Sequence, residues 1–70
     1  MKVTYDSLAD AAYIYFDSPD KKVARTLKVN DYLLIDLGKK GEIFGIEILD
    51  ASQHVAIKEL LKKPSVKKLC

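Results

Sequence analysis

The chain has one cysteine, one histidine, no tryptophan and three glycines among its 70 residues, and each scarcity excludes something. A single Cys70 cannot form an intrachain disulfide, so no disulfide framework staples the fold. Zinc sites take about four nitrogen, sulfur or oxygen ligands, and His54 and Cys70 are the whole inventory of His and Cys. The longest apolar run, Ala11–Phe16, falls far short of the ~20 residues of a membrane span. The N-terminus turns acidic at Asp6 without the apolar stretch of a signal peptide. Together with an unpaired thiol, these absences predict a cytoplasmic protein with no membrane association.

What is present is an ordinary globular balance, 49% apolar and 31% charged, which suits neither a disordered tract nor a membrane protein. A chain this short makes one domain and buries only about 60% of the surface its unfolded form exposes. A further source of burial is therefore expected. The net charge of +2 is unevenly spread. Residues 1–50 carry seven basic and nine acidic side chains, whereas residues 51–70 carry Lys58, Lys62, Lys63, Lys67 and Lys68 against Glu59 alone. The predicted organisation is one domain over residues 1–63 and a basic C-terminal tail over 64–70. Those five lysines form a candidate anion-binding surface, with a solvated helix face as the plainer reading.

Local patterns predict the elements. Val3–Tyr5 reads as a first strand, and Asp6 as a cap for the turn that follows, its carboxylate accepting nearby N–H groups. Ala11–Phe16, apolar on both faces, reads as an interior strand. A turn at Asp17–Asp20 leads to an alternating strand, Val23–Val29, expected near an edge. Asn30-Asp31 turns into a fourth strand, Tyr32–Leu37, and Gly38-Lys39-Lys40-Gly41 marks a hairpin to a fifth, Glu42–Leu49. A two-residue loop would set Phe44 opposite Ile35 and Ile46 opposite Leu33. A three-residue loop with left-handed Gly41 would shift every pair by one, so the register stays open. Gly45 marks a bulge or a place where a neighbouring ring needs room. Asp50-Ala51-Ser52-Gln53 has the form of a capping box, and Ala56, Ile57, Leu60 and Leu61 form an apolar stripe on a helix ended by Pro64. The expected fold class is α+β: an antiparallel β-meander of about five strands with one C-terminal helix packed on one face. One helix cannot cover both apolar faces of such a sheet, so a homodimer is expected through the other.

Chemistry-bearing groups are few. The carboxylates Asp6, Asp10, Asp36, Glu47 and Asp50 could in principle hold Mg²⁺ or Mn²⁺ for a hydrolase, since hard cations take oxygen ligands. Strand spacing separates Asp36 from Glu47 by roughly 10–13 Å, which argues against a shared ion, and Asp6 and Asp50 read as caps. No metal, cofactor or catalytic residue is expected. Glu47 interrupts Ile46 and Ile48 where an unpaired carboxylate is costly, so a partner such as Arg25 or Tyr32 is expected, or a place on an interface. Tyr13, Tyr15 and Tyr32, with Glu47, make the candidate partner or dimer surface. Tyrosines on an open sheet can also stack bases, but no Lys/Arg-Gly-aromatic run accompanies them.

The segments Tyr5-Asp6-x-x-Ala9-Asp10-Ala11-x-Tyr13-Ile14 and Gly41-x-x-x-Gly45-Ile46-Glu47-Ile48-Leu49-Asp50-Ala51-Ser52 resemble the small prokaryotic proteins grouped as the domain-of-unknown-function 2283 family, over roughly residues 2–52. Such proteins place an acidic residue where Gly38 stands, in an Asp-x-Asp-x-x-Gly turn, so this chain lacks one potential cation ligand of its relatives. The resemblance implies no catalytic activity and carries over no catalytic residue. It also implies, through the gene neighbours of some members, an antitoxin-like role with a toxin as protein partner. The resulting expectation is a non-enzymatic, dimerising protein-interaction module. The alternative is nucleic-acid binding through the basic C-terminal helix and tail, and a carboxylate-dependent metal hydrolase stands third.

Overall fold

The computed structural model of the chain describes residues 2–18 and 20–62. Five strands, β1 (Lys2–Asp6), β2 (Ala11–Tyr15), β3 (Arg25–Lys28), β4 (Leu33–Leu37) and β5 (Ile43–Ile48), precede two short helices, α1 (Ala51–His54) and α2 (Ile57–Leu61). The strands build one antiparallel sheet in the order β1-β2-β5-β4-β3. The expected α+β class is present, but the order is not that of a meander. β5, with Ile43, Ile46 and Ile48 on one face, takes the centre between β2 and β4. The charged β3 is left at an edge. Residues 16–24 carry the chain from β2 to that far edge. They are tied down where the Phe16 and Asp17 N–H groups donate to the Phe44 carbonyl (2.9 and 3.3 Å) and the Ala24 N–H donates to the Leu37 carbonyl (2.8 Å).

The β1–β2 turn forms as its residues predict. The Asp6 carboxylate accepts the Leu8 and Ala9 N–H groups at 3.0 and 3.3 Å. The β4–β5 hairpin takes the three-residue loop: Gly38 N–H donates to the Glu42 carbonyl (2.8 Å), and Gly41 lies at φ +83°. Leu37 faces Ile43, but Asp36 then faces Gly45, so Phe44 is an extra residue in β5. The loop shifts the register by one residue and the bulge by another. Together they restore the face of every later side chain, setting Ile46 opposite Ile35 and Ile48 opposite Leu33.

The single capped helix is a correction. Asp50 sits at φ 49° in the left-handed region and makes no side-chain cap, whereas an N-cap residue needs extended backbone. Val55 is extended (φ −137°, ψ 155°), so the helical stripe divides into α1 and α2. The break lets Val55, Ile57 and Leu60 join one apolar cluster with Ala51, Ala12 and Ile48, bordered by Tyr5, Ile14, Tyr32, Leu33 and Ile46. The buried apolar residues among those described are few: Ala12, Leu37, Phe44, Ile48 and Ala51. No helix of the described residues is long and apolar enough to cross a membrane. The expected tail, residues 64–70, lies outside the described residues.

Candidate functional site: a tyrosine-bearing sheet face

Strand register divides the sheet's side chains between two faces, because successive residues of a strand point to opposite sides. One face carries Tyr5, Ala12, Ile14, Ile46, Ile48 and Leu33 toward the apolar cluster. The other carries two parallel rows across the sheet. The first is Thr4, Tyr13, Glu47, Leu34 and Lys28; the second is Lys2, Tyr15, Gly45, Asp36 and Thr26.

Gly45 makes the centre of this second face possible. A Cβ there would stand 2.4 Å from Cε1 and 2.7 Å from the hydroxyl of Tyr13, so the ring lies directly over the glycine. Crossing β5 in this way, the Tyr13 hydroxyl donates to Oδ2 of Asp36 on β4, while the Thr26 hydroxyl on β3 donates to Oδ1 at 2.5 Å. The network links four adjacent strands. Burial, then the hydrogen bond to Asp36 and the charges of Asp36 and Glu47, push the Tyr13 hydroxyl well above the ordinary tyrosine range. At neutral pH Tyr13 is therefore a protonated donor and not a nucleophile. Tyr15 packs against it (ring centroids 4.5 Å) and meets Phe44 edge-on (6.0 Å), so the bulge residue stays on the tyrosine side.

Glu47 stands directly between Tyr13 and Leu34. It is half-buried and, among the described residues, its carboxylate makes neither a hydrogen bond nor an ion pair. The expected partners are misplaced: Tyr32 borders the opposite face, stacked on His54 at 3.6 Å, and Arg25 pairs with Leu37 on the far edge. The bulge also brings Glu47 nearer to Asp36 than simple hairpin spacing allowed. They are diagonal neighbours, roughly 7–8 Å apart, in place of 10–13 Å. Among the described residues no three His, Cys, Asp or Glu side chains gather as a metal site. Of the candidate partner surface, the structure thus unites Tyr13, Tyr15 and Glu47 and separates Tyr32. Lys58 and Lys62 are exposed on and just after α2, with Lys62 paired to Glu59 at 3.0 Å. Lys63, Lys67 and Lys68 lie outside the described residues.

A second polar cluster holds the scaffold. The Asp10 carboxylate accepts the Tyr5 hydroxyl (2.7 Å), the Ser52 N–H (3.0 Å) and the Ser52 hydroxyl (2.7 Å), while its own carbonyl accepts Ala51 N–H (2.8 Å). Asp10, not Asp50, is therefore the cap of α1, supplied from the β1–β2 turn. The hydrogen bonds from Tyr5 and Ser52 hold the Asp10 carboxyl below its ordinary value, and the same bond pushes the Tyr5 hydroxyl up. No local pattern revealed this cap, since its donor and acceptor are 42 residues apart.

These features define a small α+β protein built on a five-stranded antiparallel sheet, with a latch on one side and a tyrosine-lined network on the other. The chain belongs to the DUF2283 family, proteins of unknown function, whose model matches residues 2–52. It is similar to the uncharacterized protein YuzE of Bacillus subtilis (strain 168), with 43% identity over 56 residues that cover 76% of this chain. The chain spans 43% of that relative's length. No solved structure matches the chain.

Proposed function

We propose that the protein is a non-enzymatic binding module that pairs with a second copy of itself through the face bearing Tyr13, Tyr15, Leu34 and Glu47. The observation that carries this reading is the poverty of the core: only five described apolar residues are buried, two of them alanines. A core of this size supplies about 3–5 kcal/mol at best, and association is the usual supplement. Val55, Ile57 and Leu60 pack toward the opposite face, so the tyrosine face is the one a second copy would cover. Tyrosines there offer large contact area at low entropic cost, and Glu47 offers an acceptor that lacks a donor within the described chain. Asp36 accepts hydrogen bonds on both oxygens, from Tyr13 and Thr26, which gives that network a structural task.

Five strands about 4.8 Å apart and about 17 Å long make a flat footprint on the order of 400 Å² per copy, half the usual ~800 Å² of a stable interface. The dimer is therefore expected to be weak and to dissociate on dilution. Sedimentation velocity over a dilution series tests this, with Leu34→Lys as the variant. A lysine at 34 faces Glu47, which compensates its charge within the monomer, while Lys28 on its other side already pairs with Asp31 at 3.7 Å. The expected result is a concentration-dependent dimer in the native protein and a folded monomer in the variant. A native protein that sediments as a monomer at every concentration removes the reading.

A further inference from the structure

We propose that the outer edge of β3 is a docking strand for an acidic, extended peptide segment, which joins the sheet as a sixth strand. The sheet has two edges. At the β1 edge Val3 and Tyr5 are half-buried, and Tyr5 borders the apolar cluster that α2 also joins. All four residues of β3 are exposed. The Val29 N–H donates to the Leu33 carbonyl at 2.9 Å, which fixes the phase of the β3–β4 ladder. Antiparallel alternation then turns Arg25 and Leu27 toward β4 and directs the N–H and C=O groups of Thr26 and Lys28 outward. An incoming strand would find two residues' worth of unpaired backbone.

The side chains along this edge describe the guest. Lys21, Lys22, Arg25 and Lys28 run beside it, and Lys39 approaches from the β4–β5 hairpin. Arg25, Lys22 and Lys39 make no ion pair among the described residues. The Lys21–Asp17 and Lys28–Asp31 pairs, at 3.5 and 3.7 Å, leave both lysines exposed, and such surface pairs are worth little. Lys21, Lys22, Val23, Ala24, Lys39 and Glu42 line a cavity of about 430 Å³ at the start of the strand. The Glu42 carboxylate is engaged elsewhere, accepting the Lys40 N–H at 2.8 Å and lying against Gly38. Three lysines against the one glutamate give the lining a net positive charge that suits a carboxylate side chain. Val23, Leu27 and Val29, at odd-numbered positions along the same segment, are 41–54% exposed and give apolar side chains of a partner strand something to cover.

Basic residues on an edge also prevent sheets from pairing edge to edge. That accounts for the charge but not for the exposed apolar residues and the adjacent cavity. It also disfavours a second copy here, because two β3 edges would bring Lys22, Arg25 and Lys28 of both chains to within about one strand spacing, ~4.8 Å. An acidic strand meets the edge with complementary charge.

The test uses the intact protein and three synthetic heptapeptides, with amide resonances followed by NMR at low salt. The first peptide alternates Glu and Val, the second replaces Glu by Lys, and the third is the Glu peptide N-methylated on alternate residues, made in both phases. The expected result is binding of the Glu peptide with shifts centred on residues 22–28 and weakening of roughly tenfold or more in Arg25→Glu/Lys28→Glu. The Lys peptide and one N-methylated phase should fail to bind. Binding of both N-methylated phases as tightly as the parent would reduce the site to charge alone and overturn the proposal. So would no binding, shifts centred elsewhere, or a single-stranded oligothymidylate that outcompetes the Glu peptide at these residues. Because the N-methylated peptides test the ladder without altering the protein, a variant that fails to fold leaves the outcome decidable.

Discussion

Replacing Gly45 by alanine should be among the most damaging single-methyl additions in the chain, and the structure says how much of the damage belongs to Tyr13. The new Cβ would lie 2.4 Å from Tyr13 Cε1 and 2.8 Å from the Ile14 carbonyl oxygen, both well inside van der Waals contact. The ring must swing away, and the hydrogen bond to Asp36 goes with it. Overpacking costs about 1–3 kcal/mol, and a half-exposed hydrogen bond to a carboxylate adds about 1 kcal/mol. The sum is roughly 2–4 kcal/mol, or a fall in Tm on the order of 10–20 °C for a domain of this size. In a Tyr13→Ala background only the conflict with the Ile14 carbonyl remains, so the same substitution should cost about 1 kcal/mol. The cycle therefore predicts a coupling of about 1–3 kcal/mol between the two positions. Urea unfolding followed by circular dichroism measures all four corners, in trimethylamine N-oxide because this small fold has little stability to lose. Additive effects, or a Gly45→Ala protein as stable as the parent, would refute the placement of the ring over the glycine.

Other outcomes follow from the same geometry. Tyr13 should ionise well above the ordinary tyrosine range in a spectrophotometric titration. Because its folded-state value is raised, its contribution to stability is full below pH ~10 and lost as pH climbs above it, a loss that Tyr13→Phe should blunt. The Asp10 carboxyl has the opposite sign. Its folded-state value is depressed, so its contribution is present above pH ~4 and lost as acid protonates it, and Asp10→Asn should flatten that acid limb and speed amide exchange at Ser52. Gly41→Ala meets no neighbour but must hold φ +83°; strain alone should cost about 1–2 kcal/mol by urea unfolding, with Gly41→Asn milder.

Much of the fold was legible because its signals are local. Periodicity located all five strands, the Gly38–Gly41 segment announced its hairpin, and Asp6 capped the turn it adjoins. Gly45 served both of its expected roles, beside the bulge and beneath a ring. What failed were expectations that needed distant residues. Strand order depends on pairings between strands far apart in sequence, and neighbours in sequence gave β5 no reason to sit beside β2. The cap of α1 comes from Asp10, 42 residues before Ser52, so the local pattern at Asp50–Gln53 pointed to the wrong carboxylate. Tyr32 was grouped with Tyr13 and Tyr15 by residue type. It stands just before β4, beside the apolar cluster and stacked on His54.

The residues through which the chain resembles its family are concentrated in these two networks. Tyr5, Asp10 and Ser52 form the latch between the first turn and α1; Tyr13 and Gly45 form the strut that reaches Asp36. Each has a structural task in this sheet and helix entry, whatever the protein binds. Family membership is therefore evidence of shared architecture and transfers no chemistry by itself. Differences in function are expected where the scaffold leaves residues free to vary. Those places are the exposed β3 edge with its lysines, the Lys39-Lys40 hairpin tip, and the open-face position Leu34. Exchanging Lys21–Lys28 for the corresponding segment of a family member should move peptide preference and leave the urea midpoint nearly unchanged. If the midpoint falls while the preference stays, these residues belong to the scaffold and the edge is not a recognition surface.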